Sequence, residues 1–178
     1  MFPSSGNIRL CYAFLSKTRD NQMVFRVISG FTWVLLAFAG PAQAAEWQSG
    51  EASNGAWSMI QEGQFNLRVS CWPGDPSFFF VLTGGPFNGM QNIDDGNESM
   101  MMWIELPDGR TARHPIDGHY FAPDKAFVGR FIVSDFVLEE FRQGAKLSLT
   151  SPTGVEIAAF GMQGTGKARG HFKQACGI

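Results

Sequence analysis

The sequence predicts a mainly β protein, built as a small antiparallel sandwich or barrel with two short helices and one disulfide. Three observations lead to this prediction. Several short segments alternate apolar and polar residues, which is the period of a strand with one buried face. Clusters of Gly, Pro, Asn and Asp separate these segments and are typical of turns. Two cysteines, Cys71 and Cys176, remain in the part of the chain that we expect to fold.

Residues 23–45 have the pattern of a secretory signal peptide. Arg26 provides a positive charge, residues 27–39 form an apolar run, and Ala42-Gln43-Ala44 is a small-residue cleavage motif. The apolar run is shorter than the about 20 residues that a spanning helix needs. We therefore expect cleavage before Ala45 and no stable membrane span afterwards.

The expected domain organisation follows from this pattern. A signal peptide seldom follows a polar segment as long as residues 1–22. We therefore expect that residues 1–22 are a non-native extension and that translation starts at Met23. Residues 23–44 are the predicted signal peptide. Residues 45–178 are then a single exported β-rich domain, either periplasmic or secreted.

The composition of residues 45–178 disfavours two classes of partner. This segment has ten basic and fifteen acidic side chains, and the basic ones are scattered among the acids. Nucleic acids and anionic membrane surfaces are bound by clustered basic residues. We therefore expect neither of them to be the main partner.

Cys71 and Cys176 are predicted to form the disulfide. Cys11 precedes the signal peptide and would be lost, and an even pair of cysteines in an oxidising compartment favours a bridge over two buried thiols. Cys71 alternates with apolar residues such as Val69 in a strand pattern, and Cys176 recurs with Phe172 at helical spacing. Both cysteines are therefore expected to face the core.

The element boundaries come from periodicity and from turn residues. We expect residues 46–55 to be a loose lead-in and residues 117–124 to be a turn-rich link. Ser134 or Asp135 caps a short helix that Gly144 ends. Strands are predicted over residues 56–61, 65–71, 77–83, 99–106, 110–116, 126–133, 146–151 and 155–160, and helices over residues 134–142 and 165–176.

One predicted hairpin suggests a metal site. A two-residue loop at Asp108-Gly109 places Trp103 opposite His114, so that Met101, Trp103 and His114 share one face. Thioether and imidazole groups suit Cu(I), and a Trp ring can cover the ion. The alternative is that this face belongs to the core, where Met fills gaps beside Trp.

Residues 84–98 form the longest irregular stretch and are the predicted binding loop, because long loops on a rigid scaffold often carry function. The candidate contact residues are Phe87, Asn88, Asp94 and Asp95. The acidic pair resembles part of a Ca²⁺ ligand cluster. The EF-hand spacing is absent from the sequence, so a solvated acidic loop is the expectation.

Three other types of site, for nucleotides, for zinc and for nucleophilic catalysis, lack the residues or the spacing that they require. Residues 161–167 fit G-x-x-x-x-G-K, but Ala168 stands where a nucleotide-binding loop has Ser or Thr, so we expect a turn before a helix. His114, Asp117 and His119 match no familiar zinc spacing, so we expect surface histidines. The sequence contains no G-x-S-x-G elbow and no Cys–His arrangement that would indicate a nucleophilic enzyme.

The C-terminal segment, residues 155–176, resembles part of a known group of proteins. The strand over residues 155–160, followed by Gly164-Thr165, Lys167-Ala168, Phe172 and Cys176, resembles the ending of small exported bacterial envelope β-proteins. These are the invasion-associated locus B-like proteins and the accessory periplasmic proteins of secretion systems. The chain departs from the former by lacking an early second pair of cysteines. The resemblance implies an exported envelope protein without known catalysis, and it transfers no functional residue.

These observations favour a non-enzymatic exported β-domain that binds an envelope or host macromolecule. In this interpretation the contact surfaces are the loop over residues 84–98 and the exposed faces of the two hairpins, and no cofactor is expected. A periplasmic copper-binding protein is the second hypothesis. An unrecognised hydrolase is the third.

Overall fold

The computed structural model describes residues 45–178, and the predicted N-terminal extension and signal peptide lie outside the described residues. The described part is mainly β, with 49% of its residues in strands and 18% in helices. A short 3₁₀ helix, Ala122–Asp124, connects two of the strands. The elements in chain order are β1 (Gln48–Ala52), β2 (Gly55–Glu62), β3 (Phe65–Cys71), β4 (Ser77–Thr83), β5 (Asn97–Glu105), β6 (Thr111–Phe121), β7 (Ala126–Ile132), α1 (Asp135–Gln143), β8 (Lys146–Thr150), β9 (Glu156–Gly161) and α2 (Thr165–Cys176).

The strands form one antiparallel sheet in the order β1-β2-β3-β4-β7-β6-β5-β8-β9. The sheet curls until β9 lies close to β2. Trp47 ties the two ends together, because its backbone N–H donates to the carbonyl of Gln163 and its indole Nε1–H donates to the carbonyl of Gly161, both at 2.8 Å. The sequence did not distinguish a sandwich from a barrel. The fold is a single curled sheet with two helices.

The inner face of the sheet is the core. Along each strand, alternate side chains point inward and are buried, as the period of two predicts. Phe78 and Phe80 on β4 meet Phe127 and Phe131 on β7 in edge-to-face ring contacts. The largest fully buried side chains are Phe78, Phe80, Phe127, Phe160, Phe172, Ile60, Leu67, Leu82, Met100, Met102, Ile104 and Ile116.

Two helices cover this apolar interior. Phe172 on α2 is fully buried, with its ring centroid 4.5 Å from that of Phe78. Cys176, at the end of α2, forms the predicted disulfide with Cys71 on β3, and their Cα atoms lie 6.1 Å apart. The bridge therefore holds the last helix against the sheet, as the placement of both cysteines on core faces predicted.

The two helices also pair with each other through exposed ions. Glu139 on α1 lies 3.4 Å from Arg169 on α2, and Asp135 pairs with Lys173. Side-chain hydrogen bonds, first from Arg142 and then from Gln143, lower the pKa of Glu139 from 4.5 to about 2. Pairs this exposed add little stability, so buried contacts such as Leu138 on α1 hold the helix layer in place.

Two segments that were predicted to be irregular are strands. Residues 48–52, expected to be a loose lead-in, form β1, because its backbone pairs with β2 from Gln48↔Met59 to Ala52↔Gly55. The predicted link over residues 117–124 instead continues β6 to Phe121, where it pairs with β7. In both cases a neighbouring strand supplies hydrogen bonds that the local composition does not reveal.

The predicted pairing of the β5–β6 hairpin was wrong by one residue. Its loop has three residues, Pro107-Asp108-Gly109, closed by a bond from the Leu106 N–H to the Arg110 carbonyl (2.8 Å). Gly109 adopts φ +85°, the left-handed conformation of a three-residue hairpin loop. Trp103 therefore lies opposite Arg113. A one-residue shift moves every side chain of a strand to the other face relative to its partner.

Removing the disulfide tests how strongly it holds α2. The Cys71→Ser/Cys176→Ser variant should lose about 2–5 kcal/mol of unfolding free energy, because the bridge closes a long loop in the unfolded chain. Urea unfolding monitored by tryptophan fluorescence measures the change. Adding reductant to the unmodified protein should give a similar loss. Equal midpoints for the oxidised, reduced and variant proteins would show that the bridge contributes no stability.

Gly129 provides a second stability test. It lies between Phe80 and Gly118 in the sheet. A Cβ on Gly129 would lie 2.8 Å from the Asp117 carbonyl oxygen and 2.9 Å from the Phe127 ring. Gly129→Ala should therefore cost on the order of 1–3 kcal/mol in the same urea assay.

A glycine within a helix provides the matched control. A Cβ on Gly170 in α2 would meet nothing within 4 Å. Gly170→Ala should raise the unfolding free energy by about 0.5–1 kcal/mol, because alanine favours a helix. Equal effects of the two substitutions would contradict the tight packing around Gly129.

Candidate functional site

The loop over residues 84–96 is anchored in the core by Phe87. Phe87 is 2% exposed, and its ring stacks on Phe65 (6.3 Å between centroids) and meets Tyr120 edge-on (6.0 Å). Phe87 was predicted to be a contact residue of the binding loop. The structure places it in the hydrophobic core, so a partner cannot reach it without displacing the loop.

Asn92 holds the loop backbone. Its Oδ1 accepts from the Phe87 N–H at 2.7 Å, and its Nδ2 donates to the carbonyls of Phe87 (2.9 Å) and Met90 (3.0 Å). Asn92 itself has φ +54°, which Asn tolerates better than most residues. One side chain thus closes a turn of the loop and fixes its shape. Sequence reasoning missed Asn92, although Asn in a Gly-rich loop is a recognised turn signal.

The outer end of the loop lies against the end of β6. Asp94 forms a parallel bridge with Tyr120, and its Oδ1 accepts from the Ala122 N–H at 2.7 Å. The Asp95 N–H donates to the Tyr120 carbonyl at 2.9 Å. We call Ile93, Asp94, Asp95 and Phe121 the loop tip. Asp94 and Asp95 are exposed there, as is Asn88 earlier in the loop.

Two apolar side chains of the loop tip face solvent. Ile93 is 57% exposed and Phe121 is 36% exposed, and they flank the Asp94–Tyr120 bridge. The backbone next to them is held by the hydrogen bonds of Asp94 and Asp95. The loop tip therefore presents two exposed apolar side chains next in sequence to the Asp94–Tyr120 bridge.

The three residues of the hypothetical copper site lie on two faces of the sheet. Met101 and Trp103 point outward, and the Trp103 indole donates to Thr150 Oγ1 at 3.0 Å. His114 lies opposite Met102 and points inward, where its Nε2 is 2.9 Å from Glu140 Oε2 on α1. The structure does not bring Met101, Trp103 and His114 together, because the hairpin register differs by one residue from the predicted one.

The residues that were considered as zinc ligands, His114, Asp117 and His119, are divided in the same way. Asp117 and His119 lie on the outer face, whereas His114 joins β6 to α1 through Glu140. His171 is 3.8 Å from Glu51. Within residues 45–178 no group of three or more His, Cys, Asp or Glu side chains is placed to hold a metal ion.

The glycine-rich turn at residues 161–167 packs against the segment around Trp47. Gly164 precedes α2 with φ +93°, and a Cβ on it would lie 2.6 Å from the Trp47 carbonyl oxygen. Thr165 is buried, and its Oγ1 donates to the Met162 carbonyl at 2.8 Å. This turn begins a helix against the N-terminal segment, in agreement with the expected structural role.

A polar groove lies on the outer face of the β5–β6 hairpin, where sequence analysis had expected a turn. It has a volume of about 530 Å³. Cross-strand pairing aligns Asn97 with His119 and Ser99 with Asp117. We call it the Asp117 groove, and its lining residues are Asn97, Glu98, Ser99, Asp117, Gly118 and His119.

An aromatic depression adjoins the Asp117 groove and shares Asp117, Gly118 and His119 with it. Phe79 and Arg130 line its other side. Arg130 is held by Asp75, with Nη1 3.1 Å from Oδ2.

Asp75 in turn is held by its neighbours. Hydrogen bonds from the side chain and backbone of Ser77 lower its pKa, and the Arg130 charge lowers it further. The guanidinium therefore stands beside a carboxylate that is ionised at neutral pH, so its charge is largely compensated.

Asn92→Ala tests the loop clamp. The substitution removes three hydrogen bonds and places Ala at a positive φ, so the loop should open locally while the sheet remains folded. Hydrogen exchange should quicken by about tenfold or more across residues 84–96. The exposed Asn88→Ala is the matched control and should change the exchange little. Unchanged protection in Asn92→Ala would contradict the role assigned to this side chain.

No helix in residues 45–178 is long and apolar enough to cross a membrane. The chain was also compared with known proteins. Neither the protein-family models, nor the curated proteins, nor the solved structures gave a match.

Proposed function

We propose that residues 45–178 act outside the cytoplasm as a binding domain for an envelope or host protein, with the loop tip as the contact surface. The observation that carries the proposal is the exposure of Ile93 (57%) and Phe121 (36%) on a backbone fixed by Asp94, Asp95 and Asn92. An exposed apolar spot on a fixed loop is a common feature of recognition surfaces.

The fixed backbone makes the loop tip suited to binding. Ordering a mobile loop on association costs free energy, and a loop that is already shaped avoids most of this cost. Phe87 anchors the loop from inside, and Asn92 closes its turn. The energy gained by covering Ile93 and Phe121 then contributes to affinity.

The charge of the loop tip indicates the kind of partner. Asp94 and Asp95 are exposed beside the apolar pair, and Asp124 follows on the 3₁₀ helix, with Lys125 after it. Electrostatic complementarity favours a partner with an apolar centre and a basic rim. Association should therefore slow as salt concentration rises.

Export is part of the proposal, and two features support it. Residues 23–45 carry the signal-peptide pattern in the sequence. The Cys71–Cys176 bridge fits an oxidising compartment, since such bonds are rare in the cytosol of most organisms.

An Ile93→Ser/Phe121→Ser variant tests the loop tip. Cross-linking of the purified protein in envelope or host-cell extracts, followed by mass spectrometry, identifies candidate partners. Each purified candidate is then titrated against the protein. The double variant should lose about tenfold or more in affinity, because it removes the apolar contact without changing the charge.

Phe136→Ser provides the matched control. Phe136 on α1 is 66% exposed, so this variant removes a comparable apolar side chain elsewhere on the surface. It should bind as tightly as the unmodified protein. Equal affinities for the loop-tip variant and the unmodified protein, with every candidate, would overturn the proposal.

A further inference from the structure

The outer face of the sheet carries apolar side chains where polar ones are expected. An antiparallel sheet with one solvated face normally places polar residues on that face. Both helices lie on the inner side, so no helix of residues 45–178 covers the outer one. Contiguous apolar side chains on a surface are typical of an interaction site. We call the half-buried apolar side chains on the outer side of β2, β4 and β7 the outer patch, and they are Trp57, Met59, Phe79, Val81 and Val128.

The strand register connects the outer patch to the loop tip. Arg68 on β3 is paired with Val81 on β4. Val81 is paired in turn with Val128 on β7, and Val128 with His119 on β6. Phe121 of the loop tip follows His119 by two residues and therefore lies on the same face of β6. Neighbouring strands are about 4.8 Å apart, so roughly 14 Å separates Arg68 from β6, with the two valines between them.

The two ends of this row carry opposite charges. Arg68 is exposed, its guanidinium lies 5.4 Å from the centroid of the Trp57 ring, and it forms no ion pair with any residue that the structure describes. At the other end, Asp94 Oδ1 accepts from the Ala122 N–H at 2.7 Å, which places this carboxylate next to Phe121. One end therefore presents a cation on an aromatic ring, and the other presents a carboxylate next to an exposed aromatic side chain.

A second copy of this chain matches both ends at once. The loop tip favours a partner with an apolar surface and a basic group, and Arg68 beside the outer patch provides both. A purely cationic or purely anionic partner would match one end and be repelled by the other. A surface with opposite charges on the two sides of an apolar centre is complementary to itself after a rotation by 180°, which is the symmetry of most protein dimers.

We propose that the outer patch and the loop tip together form a two-fold interface with a second copy of this chain. The inference rests on the proposed function of the loop tip and names its partner, since a second copy is a protein of the same compartment. The axis passes near Val81 and Val128. Asp94 of each copy then faces Arg68 of the other, and the valines of the two copies meet in the centre.

Charge variants test this interface by sedimentation equilibrium of the full chain, purified with its disulfide intact. The unmodified protein should dimerise. Arg68→Glu should weaken the dimer by about tenfold or more, because it sets two carboxylates against each other at two symmetric positions. Asp94→Asn keeps the acceptor for the Ala122 N–H and removes the charge. It should weaken the dimer when introduced alone and strengthen it in the Arg68→Glu protein, a reversal that requires the two positions to face each other.

Arg113→Glu is the matched control, because Arg113 is exposed on the outer face of β6, opposite Trp103 and outside the row. It should leave the dissociation constant unchanged, and thermal unfolding should show that all variants are folded. The inference is overturned if the unmodified protein is monomeric at every concentration, or if Arg68→Glu has no larger effect than Arg113→Glu.

Cross-linking locates the axis independently. Facing sheets lie about 10 Å apart, so a bismaleimide with a spacer of about that length should link Val81→Cys of one copy to the same position of the other. The native cysteines are joined to each other and do not react. Arg113→Cys, away from the axis, should be linked far more slowly. Equal rates for the two variants would contradict the proposed axis.

The outcome is separable from that of the loop-tip proposal. Ile93→Ser/Phe121→Ser should weaken the dimer as well. A monomeric protein that loses an extract partner in this variant would overturn the dimer and leave the loop-tip proposal standing. A dimer that Arg68→Glu weakens and Ile93→Ser/Phe121→Ser does not would overturn the inference, because the loop tip would then lie outside the interface.

Discussion

The structure depends on covering the inner face of one curled sheet. That face is lined by aromatic rings, among them Phe78, Phe80 and Phe127, and an open sheet would leave them in water. α2 covers them through Phe172, and the Cys71–Cys176 bridge fixes α2 to β3. Burial supplies most of the favourable free energy, and the covalent bond restricts the unfolded chain, so the two effects reinforce each other.

The filled interior explains why the candidate sites lie outside. The loop over residues 84–96 uses Phe87 to extend the core, and α1 and α2 occupy the remaining inner surface. The loop tip and the Asp117 groove are both built on β6, which lies near the middle of the sheet and is held on both sides by β5 and β7. A strand paired on both edges is a rigid support, so side chains on it keep defined positions.

The length of the loop between β5 and β6 determines which side chains share a face of the sheet. The three-residue loop with Gly109 in the left-handed conformation sets the register of the two strands. That register places Ser99 beside Asp117 on the outer face and His114 beside Glu140 inside. A two-residue loop would have placed His114 on the same face as Trp103. Met101, Trp103 and His114 would then have shared one face, as the metal-site hypothesis required.

The sequence by itself determined the elements whose signal is local. Alternation predicted β3, a continuous apolar run predicted β4, and helical spacing predicted α2. Alternation and helical spacing together placed Cys71 and Cys176 toward one core. Periodicity carries this information because it depends only on which side of a strand or helix each residue occupies. Tertiary structure decided the features that depend on a neighbour distant in the chain. β1 forms only because β2 pairs with it, Phe87 is buried only because Phe65 and Tyr120 receive it, and the groove beside Phe79 exists only because β4 pairs with β7. Pairing between distant segments leaves no period in a single sequence, so only the folded chain reveals it.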